Sequence, residues 1–128
     1  MSSELMSLSL VLALHLAMWI PYVLNTIATR GLTDVLGYPD NPSPIASWAA
    51  RMKAAHYNSV ENLVVFSALI FIGNTAAISN DATVLACHMY FWARLAHLLF
   101  YTFAIPVART IAFAVSWLCQ VALLIQII

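Results

Sequence analysis

Apolar residues fill four long stretches of the 128-residue chain, and each stretch carries a few polar residues on one side. The first runs from about residue 5 to 29, the second from 44 to 76, the third from 82 to 103 and the fourth from 107 to 128. Polar positions recur at steps of three, four and seven, the period of a helix rather than a strand. On the first stretch they are His15, Trp19, Tyr22, Thr26 and Thr29; on the second, Arg51, Asn58, Glu61 and Asn62. On the third they are Tyr90, Arg94, His97 and Tyr101, and on the fourth Arg109, Ser116 and Gln120. The pattern predicts four helices, each with one polar stripe.

The breaks agree with that division. Arg30-Gly31 closes the first helix, with glycine where a helix C-terminus favours it. Turn formers crowd residues 31–43, the one substantial loop. Ser43-Pro44 reads as an N-cap followed by proline at the first helical position. Gly73-Asn74 with Ser79-Asn80-Asp81 makes a short turn, and Pro106 marks the last break. Pro21 lies inside the first helix, where proline kinks or loosens a turn. Loops this short set neighbouring helices antiparallel.

Composition then decides the solvent. The chain is 63% hydrophobic and 8% charged, with a mean hydropathy of +0.90; a soluble domain carries about 25% charged residues. Too few charges are present to give four helices a wetted face each. A span needs about 20 apolar residues, and each stretch supplies them, so the expectation is an all-α integral membrane four-helix bundle forming a single domain over residues 1–128. The second helix is longer than the hydrocarbon is thick. Its first part, Trp48 to Asn62, holds nearly all its polar residues, and its first three turns should stand in headgroups or a watery cleft.

Five basic and five acidic residues cancel, and no basic patch suggests nucleic acid. Arg30, Arg51, Lys53 and Arg109 fall on the side of the first and third loops, whereas the other side has Glu4 and Asp81. That asymmetry makes those two loops cytoplasmic. Cys87 and Cys119 lie in apolar stretches and read as small packing residues; no metal-ligand spacing occurs. The first stretch lacks the basic flank and cleavage site of a signal peptide and reads as a retained helix.

Charged groups inside apolar stretches are expensive and mark functional sites by default. Polar side chains also hold membrane helices together, and that role suffices for His15, Ser116 and Gln120. It would also cover an Arg94–Glu61 pair acting as a register device. Arg51, Asn58, Glu61, Arg94 and Tyr101 are too many at one depth for packing alone and favour a ligand site. Lys53 and His56 occupy another face of the second helix, where interfacial snorkelling accounts for them as well as function does. Trp19, Trp48, Trp92 and Trp117 read mainly as an interfacial belt.

The segment Arg51-Met-Lys-Ala-Ala-His56-Tyr-Asn58-Ser-Val-Glu61 resembles the second-helix motif R-x-x-x-A-H-x-N-x-x-E of the MAPEG family, the membrane-associated proteins of eicosanoid and glutathione metabolism. Ala93-Arg94-Leu-Ala-His97-Leu-Leu-Phe-Tyr101, with Pro106-Val-Ala-Arg109 and Phe113, resembles that family's third helix and the start of its fourth. The likeness covers the whole chain and is to short, bacterial-like members, which implies a bacterial inner membrane. It implies a homotrimer with glutathione bound between subunits near the cytoplasmic side. Carried over by position, Asn58 and Glu61 would hold the peptide backbone and amino group of glutathione. Arg51, Arg94, His97 and Tyr101 would line the pocket and hold its carboxylates, Arg30 would add a carboxylate contact, and Arg109 would face the sulfur. Ala54 and Tyr57 stand where active members often have further arginines.

A fixed cation turns a thiol of pKa near 8.5 into a thiolate at neutral pH. The implied chemistry is therefore a glutathione transferase or peroxidase-like reaction on a lipophilic small molecule entering from the bilayer. A non-catalytic lipid-binding or scaffold protein of the same fold is the alternative. A transporter is disfavoured, because no inverted repeat or pair of broken helices occurs.

Overall fold

The computed structural model describes all 128 residues, Met1–Ile128, as five helices and no strands. Four are long: α1 (Ser3–Arg30), α3 (Ser47–Thr75), α4 (Asp81–Thr102) and α5 (Pro106–Ile127). The fifth, α2 (Leu32–Leu36), is a five-residue turn inside the stretch that the sequence marks as loop. Gly31 joins α1 to it at φ 81°, a backbone that favours glycine, and its N–H caps α1 by bonding the Ile27 carbonyl. α1 runs through Pro21 as one continuous helix. α3 begins at Ser47, three residues beyond Pro44, so Ser43 is not its N-cap. Ser43 instead gives its carbonyl to Arg30, and the Ala46 N–H is held by Asn25 Oδ1 at 3.0 Å. The loop is thus fastened to α1 just before α3 starts.

Local chemistry fixes the other ends. Ser2 caps α1 by accepting from the Leu5 N–H. Asn80 caps α4, and its backbone N–H bonds Thr83 Oγ1 in return, a reciprocal capping box. α3 and α4 end alike. The Ile78 N–H reaches back to the Gly73 carbonyl and the Ile105 N–H to the Phe100 carbonyl. Ala77 (φ 54°) and Ala104 (φ 59°) take the left-handed position that usually falls to glycine in such a Schellman ending. The second turn is so tight that α5 starts at Pro106, which brings Arg109 beside the end of α4.

α1, α3 and α5 are long and apolar enough to cross a membrane. α4, also 22 residues long, falls short of that apolarity because it carries His88, Arg94 and His97. It lies against α1, α3 and α5. At 1.5 Å per residue α3 is about 44 Å long, well beyond the ~30 Å hydrocarbon.

Burial is arranged as in a membrane protein. Leu16, Phe71, Trp92 and Val107 are about two-thirds exposed or more, whereas Arg94, His97, Ser59 and Ser116 are buried. All four tryptophans lie toward the outside. One apolar core joins all four long helices: Val11 from α1, Phe66 and Ile70 from α3, Cys87 and Tyr90 from α4, Cys119 and Leu123 from α5. Phe66 and Tyr90 stack nearly parallel with centroids 3.8 Å apart. Both cysteines are free and packed in this core.

Candidate functional site

Arg94 is the best-buried charged group, with 1% of its surface exposed. It projects from the middle of α4, and its fork reaches two helices. One terminal nitrogen donates to Asn58 Oδ1 on α3 at 2.8 Å. Nε donates to Ser59 Oγ on α3 and the other terminal nitrogen to Ser116 Oγ on α5, each at 3.3 Å. His97 Nδ1, one turn further along α4, lies 3.4 Å from the nitrogen that holds Asn58. All four partners are neutral. The Arg94–Glu61 pair considered from the sequence does not form.

Helix geometry explains why. Residues two apart on a helix lie about 200° around the axis, so Ser59 and Glu61 cannot point the same way. Ser59 is buried against Arg94, and Glu61 is exposed on the outer face. Asn58 stands between them, locked by Arg94 on one side and bordering a cavity on the other. Ser59 was legible in the sequence as a small polar residue one step from Asn58, yet it stood off the stripe that the larger polar groups define.

Two adjoining cavities flank this cluster at the α4–α5 turn. The first, about 240 Å³, is lined by Asn58, His97, Tyr101, Arg109, Thr110 and Phe113. The second, about 180 Å³, is lined by Arg51, Tyr101 and Arg109 with the turn residues Ala104 to Pro106. Tyr101 and Arg109 form the wall between them. The Arg109 guanidinium sits over the Tyr101 ring, 4.5 Å from its centroid, a stacking that holds the cation in place. Tyr101 meets His97 edge-on at 5.5 Å. Arg51 is anchored by donating from Nε to the Thr102 carbonyl at 3.0 Å, which leaves its terminal nitrogens free for the cavity side.

Of the eight residues singled out from the sequence, Asn58, His97, Tyr101 and Arg109 surround one cavity and Arg51 enters the second. Arg94 supports them from behind. Arg30 and Glu61 border neither cavity within the chain. Arg30 Nε donates to the Ser43 carbonyl at 2.7 Å and ties down the loop. Thr110 and Phe113 complete the site: they follow Arg109 at one and four residues, on the side of α5 that faces α4 and α3. His56 is also placed differently from expectation. Its Nδ1 lies 2.8 Å from the Tyr22 hydroxyl, so it links α1 to α3 instead of snorkelling.

Electrostatically the site is one-sided. Arg51 and Arg109 line the cavities, and Arg94 stands about two turns deeper behind Asn58; their partners are a carbonyl, hydroxyls, an amide oxygen, an imidazole and an aromatic face. None of those contacts neutralises a positive charge. Such an arrangement is suited to an anion carrying carboxylate or thiolate groups.

A membrane-embedded helical bundle with a cationic, tyrosine-walled site defines the class. The chain belongs to the MAPEG family, whose model matches residues 9–128. No curated protein and no solved structure matches it at a significant level.

Proposed function

We propose that the protein is a membrane-bound, glutathione-dependent enzyme of the transferase or peroxidase-like type, acting on lipophilic electrophiles. The observation that carries this reading is that Arg51 and Arg109 line two adjoining cavities, with Arg94 behind Asn58, and that none of the three has a carboxylate among its partners. Glutathione brings two carboxylates and a thiol, so it supplies the anions that the site lacks. Arg51 and Arg94 hold carboxylate charge, the second through its field and through Asn58, whose amide is fixed to meet the peptide. Arg109, clamped on Tyr101, faces the sulfur and stabilises the thiolate, and the thiol proton leaves to water through the open side of the cavity. The thiolate then attacks the electrophilic carbon: a sulfur–carbon bond forms, and the displaced group departs with the electron pair. With a hydroperoxide the sulfur attacks the distal oxygen: an S–O bond forms, the O–O bond breaks, and the alkoxide takes a proton from water and leaves as the alcohol; a second glutathione then reduces the resulting sulfenic acid, giving glutathione disulfide and water.

The protein acts, in this reading, as a homotrimer. Glu61 stands at the middle of α3, exposed and without a hydrogen-bond partner in its own chain, and Tyr57 beside it is exposed as well. A carboxylate at that depth is costly in lipid, and a neighbouring subunit removes the cost. Glu61 and Arg30 then meet ligand across the subunit boundary. Sidedness follows from the basic residues, with the Arg30, Arg51 and Arg109 end cytoplasmic.

A second reading, a lipid-binding protein without chemistry, is favoured by one feature. A groove of about 420 Å³ between α4 and α5 is lined wholly by apolar residues, among them Trp92, Ala96, Phe100 and Ile111. Phe100 also borders the Arg51 cavity, so the groove equally serves a lipophilic substrate on its way to the thiolate. Thermal unfolding of the detergent-purified protein with millimolar glutathione separates the two. A saturable rise in Tm, reduced in Arg51→Ala, supports the enzyme; no rise, with bound lipid retained, supports the alternative.

A further inference from the structure

The opposite end of the bundle holds a second polar site. Glu4, in the first turn of α1, is 6% exposed. Its Oε1 accepts from Thr83 Oγ1 at 2.6 Å and from Ser79 Oγ at 2.8 Å. Its Oε2 is buried and bonded to nothing. The side chain borders a cavity of about 110 Å³ that Asn74, Ser79 and Thr83 share with Leu69, Leu123 and Ile127. A water takes about 10–15 Å³ of such a volume, so there is room for a ligand of several heavy atoms.

No basic side chain borders this cavity. The chain's five basic side chains are Arg30, Arg51, Lys53, Arg94 and Arg109. Arg94 is eleven residues from Thr83 on α4, about 16 Å along the helix. The C-terminal turn of α3 also borders the cavity, through Gly73 and Asn74. A helix C-terminus carries partial negative charge and favours a cation. A buried carboxylate with an unbonded oxygen and a helix C-terminus therefore border one space; the N-termini of α1 and α4 beside Glu4 offset part of that charge, and no basic side chain does.

We propose that this cavity binds a primary ammonium group carried on a short carbon chain. An ammonium has three N–H donors: one serves Glu4 Oε2, after a small turn of the carboxylate about its last bond, and another the Asn74 side-chain oxygen. The apolar wall takes the attached methylenes, which a bare alkali ion could not use. One carboxylate among neutral groups matches a single positive charge; divalent ions take more oxygen ligands than this wall offers. The site lies where α1 begins and α3 ends, at the end of the bundle where lipid headgroups lie. The group is therefore either the ethanolamine headgroup of a membrane lipid or a free alkylamine.

The test uses the full-length protein in lipid nanodiscs, with Glu4→Gln and the cavity-filling Leu123→Trp beside wild type. Tm is recorded against the mole fraction of phosphatidylethanolamine in phosphatidylcholine, and separately against ethylammonium chloride, with sodium chloride matched for ionic strength. A saturable rise with ethylammonium beyond the sodium control, weakened at least tenfold in both variants, supports the proposal. A matching rise with phosphatidylethanolamine identifies the lipid as the source; its absence leaves the free amine. If Glu4→Gln does not fold, Leu123→Trp carries the comparison. The proposal is overturned if sodium has the same effect, if wild type shows no rise, or if the variants respond as wild type does.

Discussion

Replacing Arg94 by methionine separates a group held for the fold from one held for a ligand. Methionine keeps much of the length and adapts to irregular space, so the main change is loss of the charge and its fork. The 2.8 Å bond to Asn58 is worth about 2 kcal/mol as a charge-assisted bond, and the three contacts at 3.3–3.4 Å add a few tenths each. Against that gain of about 3 kcal/mol stands the burial of a guanidinium with no counter-ion, which costs several kcal/mol. The two nearly cancel, so Arg94→Met should change unfolding free energy by less than about 2 kcal/mol. Glutathione binding should suffer far more. At ~8 Å from a ligand carboxylate and an effective dielectric near 20, the lost attraction is about 2 kcal/mol, a tenfold or greater rise in Kd. Asn58 also loses its lock. Unfolding in detergent followed by tryptophan fluorescence gives the first quantity, and equilibrium dialysis with glutathione the second. A loss of more than about 4 kcal/mol with Kd unchanged would refute the reasoning and make Arg94 a structural pin.

Thr102 Oγ1 is buried without a partner, so Thr102→Val should be neutral or stabilise by up to about 1 kcal/mol in the same unfolding assay. Ala77→Gly relieves a left-handed alanine and should stabilise by about 1 kcal/mol, read as a higher Tm. Phe66→Ala removes the stacking partner of Tyr90 at the centre of the core and should cost about 3–5 kcal/mol. Glu61→Gln should leave the fold of the subunit intact, because nothing in the chain holds Glu61, yet weaken the trimer or glutathione binding; light scattering and dialysis report which.

The sequence was most readable where one rule dominates. Hydrophobic period and turn residues placed the long helices within a few residues of their observed ends, and the Tyr90, Arg94 and His97 positions of the α4 stripe are buried. Reading failed where two signals competed. Ser43-Pro44 has the form of a helix start, but the Arg30–Ser43 and Asn25–Ala46 bonds hold that segment extended and delay α3 to Ser47. A stripe drawn over 100° of helix gathers Asn58 and Glu61 together, while the partner helix chooses between them: Arg94 takes Asn58 and Ser59 and leaves Glu61 outside. Arg30 reads as a free cation in the sequence and is bonded to the loop in the fold. The polar cavity around Glu4 was not legible at all, because Glu4, Asn74, Ser79 and Thr83 come from three separate parts of the chain that only packing unites.

The central claim is that Arg109, clamped on Tyr101, converts a bound thiol into a thiolate. Titrating glutathione into the purified protein while recording the near-ultraviolet difference spectrum measures that conversion directly, with Arg109→Ala alongside. A saturable thiolate band in wild type, lost in Arg109→Ala while binding persists, is the predicted result. Bound glutathione without a thiolate band in wild type, or a band unchanged in the variant, would contradict it.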